Sequence, residues 1–254
     1  MNSILVRTTF LTFLFIFFPL MFIYGQGQSE VDSITEVGDD LLDLGEYKEA
    51  ERLFDEVLEM DEDHFPAIEG KIKALMERGK LSRANRQVSQ EIEKHPEHTY
   101  FYLYNGQILI KRERYEDAVQ TLNKGLGLVE NGDDQKLLSK LYVYRGAAFQ
   151  HQDNYEKSLA DYSKSLEIVD DNPNVLVYRG SLYYKREEFD KAIADFQRVL
   201  NLDPNNHYAQ YNIGMSYLKQ GKQHEACDAF HKACELGNRN ACKMVVSKCL
   251  RERD

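Results

Sequence analysis

The sequence predicts an all-α chain, a superhelical solenoid of about six helix–turn–helix units closed by a C-terminal capping helix. Three observations carry that expectation. The stretch Pro173–Asn206, PNVLVYRGSLYYKREEFDKAIADFQRVLNLDPNN, holds two amphipathic runs joined by a short polar turn. Its landmark residues recur when the chain is stepped by 34 residues. No strand-like alternation and no Gly/Ser-rich linker interrupts the series.

Within that stretch Leu176, Arg179, Gly180 and Tyr183 fall at helical spacing, as do Ala192, Phe196, Val199 and Leu200. Asn172 is placed to cap the first helix, with Pro173 in its first turn, where a missing N–H costs nothing. Gly180 and Ala192 have almost no side chain, so two antiparallel helices can approach there, with Tyr183 and Phe196 filling the space around them. The Gly180 register continues as Gly214 and Gly146, then Gly106 after a step of 40, then Ile72 and Gly38. The Ala192 register reads Ala50, Ala84, Ala118, Ser158 and Ala226; the Phe196 register reads Phe54, Val88, Leu122, Tyr162 and Phe230. The Tyr183 register reads Leu41, Leu75, Leu109, Phe149 and Tyr217. These residues resemble the tetratricopeptide (TPR) pattern, a helix–turn–helix repeat of 34 residues. The resemblance covers residues 31–240. Ile72 makes the second repeat the least typical, and the long step places six extra residues near Asp133–Leu138, in a turn or in the following helix.

In chain order, Met1–Tyr24 stands outside the repeats. Arg7 precedes Phe10–Tyr24, an apolar run broken only by Thr12 and Pro19. As a helix this run would span roughly 22 Å, short of the roughly 30 Å hydrocarbon core. The small and polar residues Gly25–Ser29 follow, so residues 1–27 read as a secretory signal peptide, with an uncleaved anchor (Leu5–Tyr24) as the alternative. The expected location is therefore exported, and periplasmic or secreted if the source is Gram-negative. The repeats then run 31–64, 65–98, 99–132, 139–172, 173–206 and 207–240. Gly45, Gly79 and Gly221 fall in the turns between paired helices, and Pro96 and Pro204 close their repeats. Residues 241–254 read as the capping helix, with Met244, Val245 and Leu250 covering the open end and Lys243, Lys248, Arg251 and Arg253 facing water.

Composition narrows the function. With 43% hydrophobic and 29% charged residues the chain is built to fold, and a net charge of −10 argues against nucleic acid as a partner. The acidity is concentrated: residues 29–64 contain fifteen Asp or Glu against Lys48 and Arg52, a formal −13. The bland reading is a solvated face; the other is a surface that steers a basic partner. Asp61-Glu62-Asp63 lacks the spacing and the Gly of a calcium loop.

All four Cys lie at the C-terminal end, at 227, 234, 242 and 249. If the helices on either side of Asn238 are antiparallel, Cys234 faces Cys242 and Cys227 faces Cys249, since both pairs are centred on that turn. Disulfides there suit an oxidising compartment and would staple the cap. Reduced thiols in the core are one alternative. A metal site from His224, Cys227, His231 and Cys234, a metal- or redox-responsive module, is the weaker one.

The TPR resemblance implies a concave groove lined by the first helix of each repeat, with a peptide or helix as its guest. Carried onto this sequence, the groove positions are Leu103, Val143, Val177 and Tyr211 in one register and Tyr104, Tyr144 and Tyr178 in the next. Ile110, Tyr184 and Leu218, with Gln150 among them, form a third, edged by Lys111, Lys185 and Lys219 with His151 between. Aromatic anchors edged with Lys suit a peptide carrying apolar side chains and a carboxylate. The same Tyr would equally fill space between repeats. The first two repeats are polar at these positions (Thr35, Asp39, Glu69, Lys73), which assigns the site to repeats three to six. Val143 and Ala147, or Val177 and Ser181, stand where the family's carboxylate clamp needs Lys and Asn, so that partner is not inherited. No nucleophile–base pair, phosphate loop or paired carboxylates stand out. The expectation is a non-enzymatic scaffold or adaptor for a protein or peptide, with no cofactor. The alternative of a membrane-tethered assembly factor applies only if the N-terminal segment is retained.

Overall fold

The computed structural model describes residues 29–129 and 134–249. Among them there is helix throughout and no strand. The chain forms two compact units divided after Pro96. Residues 1–28, on which the signal-peptide reading falls, lie outside the described residues.

In the first unit, α1 (29–43) and α2 (Tyr47–Met60) form one hairpin, and α3 (Phe65–Glu77) and α4 (Leu81–Lys94) the next. Phe54 is its centre, fully buried with Ala50, Val57 and Ala67. Gly38 and Gly70 lie against its ring; a Cβ on Gly38 would come within 2.6 Å of it, and one on Gly70 would overlap it. The repeat therefore needs a residue without a side chain where the Phe54 ring meets α1. Ile72, the atypical residue of the second repeat, is itself fully buried.

The second unit continues with α5 (Thr99–Lys111), α6 (Tyr115–Leu128), α7 (Gln135–His151), α8 (Tyr155–Ile168), α9 (Pro173–Lys185) and α10 (Phe189–Leu202). It closes with α11 (His207–Lys219), α12 (Gln223–Glu235) and α13 (Arg239–Met244). Gly106, Gly146, Gly180 and Gly214 face Leu122, Tyr162, Phe196 and Phe230 of their partner helices, as the register requires. The inserted residues lengthen α7, which has 17 residues where α5, α9 and α11 have 13. The first helix of repeat four thus starts at Gln135, ahead of residue 139, behind Asp134, whose side chain accepts the Leu137 N–H. Asn172 caps α9 as expected, accepting from Asn174 and Val175.

Two ion pairs, each between a partly exposed arginine and a buried carboxylate, tie helices of the second unit together. The Arg145 guanidinium donates twice to Asp161 (2.8 and 2.6 Å) and once to Asn123 (2.6 Å). One repeat on, Arg179 donates to Asp195 (2.8 and 2.7 Å) and to Ser163 (3.2 Å). Such forks satisfy both carboxylate oxygens in place of water.

At the end of the chain, Cys227 is joined to Cys249 and Cys234 to Cys242, with Cα atoms 5.6 and 4.7 Å apart. The expected single capping helix over 241–254 differs in form. Its helix is Arg239–Met244, followed by a π-helical turn, Val245–Cys249. Ala241 and Val245 cover Phe230 and Ala233, and Met244 packs beside them. Leu250 lies outside the described residues.

Candidate functional site

A cleft of about 460 Å³ opens between α7 and α9, floored by α8. Its walls are Val143, Tyr144 and Ala147 from α7, Val175 and Tyr178 from α9, and Tyr162 beneath. Its polar groups come from Ser139, Lys140, Gln150, His151, Asn172 and Asn174. No Asp or Glu is among the described residues that line it.

The helical spacing places these groups. Lys140, Val143, Tyr144, Ala147 and His151 stand three or four residues apart, one stripe of α7. Leu141 and Ala148 on one flank and Gly146 on the other are buried, and the stripe between them lines the cleft. Tyr178 is 43% exposed, its ring centroid 5.8 Å from that of Tyr162. Tyr162 occupies the register of Phe54, Phe196 and Phe230, so its hydroxyl is an addition. That hydroxyl donates to Gln150 Oε1 at 3.0 Å, and burial pushes its pKa well above the usual phenol value. His151 lies flat on Tyr115, centroids 4.6 Å apart.

Of the positions expected to line a groove, Val143, Tyr144 and Tyr178 come together in this cleft. Leu103 and Tyr104 do not: they are 1% and 6% exposed, and Leu103 packs with Leu122, Leu137 and Leu141. A buried side chain has no surface left for a guest, so those two positions are corrected to core. Ile110 is half-buried against Leu109, Ala118 and Val119. Val177 packs on the core of α8–α10. Tyr184 and Tyr211 are half-buried, on Phe189 and Phe230 respectively, and burial raises the Tyr184 pKa. Lys111 and Lys219 are exposed. Lys185 sits 5.0 Å over the Tyr155 ring and donates to its hydroxyl at 3.3 Å, so it serves the turn of repeat four rather than this cleft.

The groove registers include Gln150 but not Asn174 or the hydroxyl of Tyr162, which the structure adds to the site. The signal was present: Gln150 interrupts an otherwise apolar register, and Tyr162 is the only hydroxyl in its own. The metal alternative is also corrected. Cys227 and Cys234 are each taken up in a disulfide, and no group of metal-binding side chains forms among the described residues. No helix among the described residues is long and apolar enough to cross a membrane.

Sequence models of the tetratricopeptide repeat match residues 31–64, 70–133, 180–221 and 208–236. The chain belongs to the tetratricopeptide-repeat family. Its folded form is similar to several solved structures. PilF of Pseudomonas aeruginosa shares 16% identity at a TM-score of 0.74, covering 88% of this chain and all of that one. A TPR-containing protein of Cytophaga hutchinsonii shares 19% at 0.66, over 87% of this chain and 89% of that one. YrrB, described as a TPR protein with an unusual peptide-binding site, shares 18% at 0.59, over 74% of this chain and 94% of that one. At such identities the likeness shows the fold. Against the curated proteins the sequence has no match. No enzyme family is among the matches.

Proposed function

We propose that this chain is an exported, non-enzymatic scaffold that holds a peptide segment of another protein in the α7–α9 cleft. The TPR fold is typical of protein-interaction scaffolds. The observation that supports this cleft is the exposed Tyr178 beside Tyr144, two aromatic anchors over a pocket without carboxylates. Tyr gives large contact area with few rotatable bonds and a polar tip, which suits recognition of a chain that arrives extended. The site is narrower than a groove along repeats three to six, because Leu103 and Tyr104 are spent on the core.

A photo-crosslinking side chain placed at Tyr144 or Tyr178 tests the reading in the native cell. One defined protein should be recovered by mass spectrometry from both positions and not from exposed Lys232. The same background from all three positions would remove the cleft from consideration. We further infer that residues 1–27 direct export and are removed. N-terminal sequencing of the exported protein should then start after Gly25 or Gly27, whereas a start at Met1 supports the anchored form.

A further inference from the structure

The cleft shows hydrogen-bond donors and no acidic side chain among its described lining. The sequence has 42 Asp and Glu against 32 Lys and Arg, yet the described lining contains no carboxylate. Tyr162, 1% exposed, donates to Gln150 Oε1 at 3.0 Å. An amide whose oxygen is already accepting has its NH2 group left to donate. Asn172 is fixed the same way, its Oδ1 accepting the Asn174 and Val175 N–H groups at 3.2 and 3.3 Å. Lys140 adds an ammonium, close enough to Asp134 at the start of α7 to lower that carboxyl's pKa. The two amides, more than the lysine, give the cleft its donor character.

We infer that the α7–α9 cleft selects an acidic, extended peptide, and that the Gln150 and Asn172 amides read its carboxylate and carbonyl oxygens. The inference rests on the proposal that the cleft holds a partner, and it names the partner's chemistry. A carboxylate only accepts hydrogen bonds and so matches a wall of donors. A basic peptide would meet Lys140 with no carboxylate in the lining to pair with. A nucleic acid also presents acceptors, but its binding depends on several Lys or Arg neutralising phosphates, and Lys140 is the one such residue in the described lining. Tyr162 is a positioning residue: its hydroxyl orients Gln150 without reaching the guest.

The test uses the full chain and fluorescence anisotropy. The probes are three labelled ten-residue peptides that share two Leu and one Tyr and carry Glu, Gln or Lys elsewhere, plus a ten-nucleotide thymidine strand. The Glu peptide should bind about tenfold more tightly than the Gln peptide, and the Lys peptide should not bind. Gln150→Glu should cost the Glu peptide about tenfold, by putting a carboxylate where a donor stood. Tyr162→Phe should shrink the Glu-over-Gln preference, because an unheld amide no longer points one way. Gln150→Ala serves the same purpose if Tyr162→Phe melts early, and Lys219→Gln, outside the cleft, should change nothing. Equal binding of the Glu and Gln peptides, tighter binding of the Lys peptide or the thymidine strand, or an indifferent Gln150→Glu each overturns the inference. Failure of all three peptides overturns it too, while the crosslinks from Tyr144 and Tyr178 judge the cleft's wider role separately.

Discussion

The first helix of repeat one and the first helix of repeat four share one register and carry opposite chemistry. Where α7 shows Lys140, Tyr144, Ala147 and His151, α1 shows Asp32, Glu36, Asp39 and Asp43. Behind those stripes the two hairpins are built alike: Gly38 on Phe54 in one, Gly146 on Tyr162 in the other. The repeat fixes the residues between its helices and leaves the outer stripe free to vary. An acidic stripe and a donor-lined cleft are thus two uses of one scaffold position, and stability tests should separate what the hairpins share from what they do not.

The largest difference should lie in the ion pairs. Removing the Asp195 carboxylate leaves the partly exposed Arg179 guanidinium without its fork, so Asp195→Ala should destabilise the second unit by about 3 kcal/mol. Replacing both partners, Arg179→Met with Asp195→Leu, should restore most of that loss. The Arg145 and Arg179 register falls in α1 on Val37, 49% exposed, and Val37→Ala should change stability by less than about 0.5 kcal/mol. Urea denaturation followed by circular dichroism reads all three. Equal losses at Asp195 and Val37 would erase the distinction.

Next come the ends. Cys227 and Cys249 close a loop of sequence separation 22, which a chain-entropy argument values at about 3 kcal/mol. Reduction should therefore open amide exchange in α12 and α13 and leave α1–α4 as they were. Intact mass should rise by four hydrogens on reduction; an unchanged mass would mean that the thiols were never joined.

Much of this was legible in the sequence, because a repeat reports itself several times over. One glycine is ambiguous; Gly38, Gly106, Gly146, Gly180 and Gly214, spaced by steps of 34 with a single step of 40, are not. The cysteine pairs were legible for a related reason, since both are centred on one turn. The site was harder to read. Leu103 and Val143 hold the same register, and only packing shows that one is core and the other lines a cleft. Asn172 announced itself as a cap; its second role depends on which amide atom is occupied, which no pattern of residue types encodes.

The turns offer a smaller contrast. The residue between paired helices takes positive φ in every repeat: Gly45 (81°), Gly79 (68°) and Gly221 (74°) in repeats one, two and six, but Glu113 (60°), Asp153 (57°) and Glu187 (61°) in repeats three to five. A side chain there costs about 1 kcal/mol or more, partly offset by the freedom glycine gives the unfolded chain. Glu187→Gly should accordingly stabilise its unit by about 0.5 kcal/mol, and Gly79→Glu should weaken its own by a similar amount. A loss on Glu187→Gly would show that the turn carboxylates do something the backbone does not reveal.

The acidic stripe itself gives the smallest effect and the most specific one. Partial burial raises the Asp39 pKa; Asp43, Glu69 and Asp40 add to the rise, and Lys73 opposes it. A carboxyl with a raised folded pKa holds its proton more tightly in the folded state. Its contribution to stability is greatest below the unfolded value of 3.8 and is lost as the pH climbs through the folded one. Asp134 runs the other way: hydrogen bonds from Tyr100 and the Leu137 N–H lower its pKa, so its help to α7 is present above 3.8 and lost as the pH falls through its folded value. Mild acid should first favour the first unit through Asp39, and only stronger acid should loosen the start of α7. Asp39→Asn should gain about 0.3–0.5 kcal/mol at neutral pH by removing like-charge repulsion, and should flatten the first unit's response to mild acid. If Asp39→Asn is neutral at pH 7 and the acid response persists, the crowding of α1 lies elsewhere in its stripe, and Glu36→Gln and Asp43→Asn would then locate it.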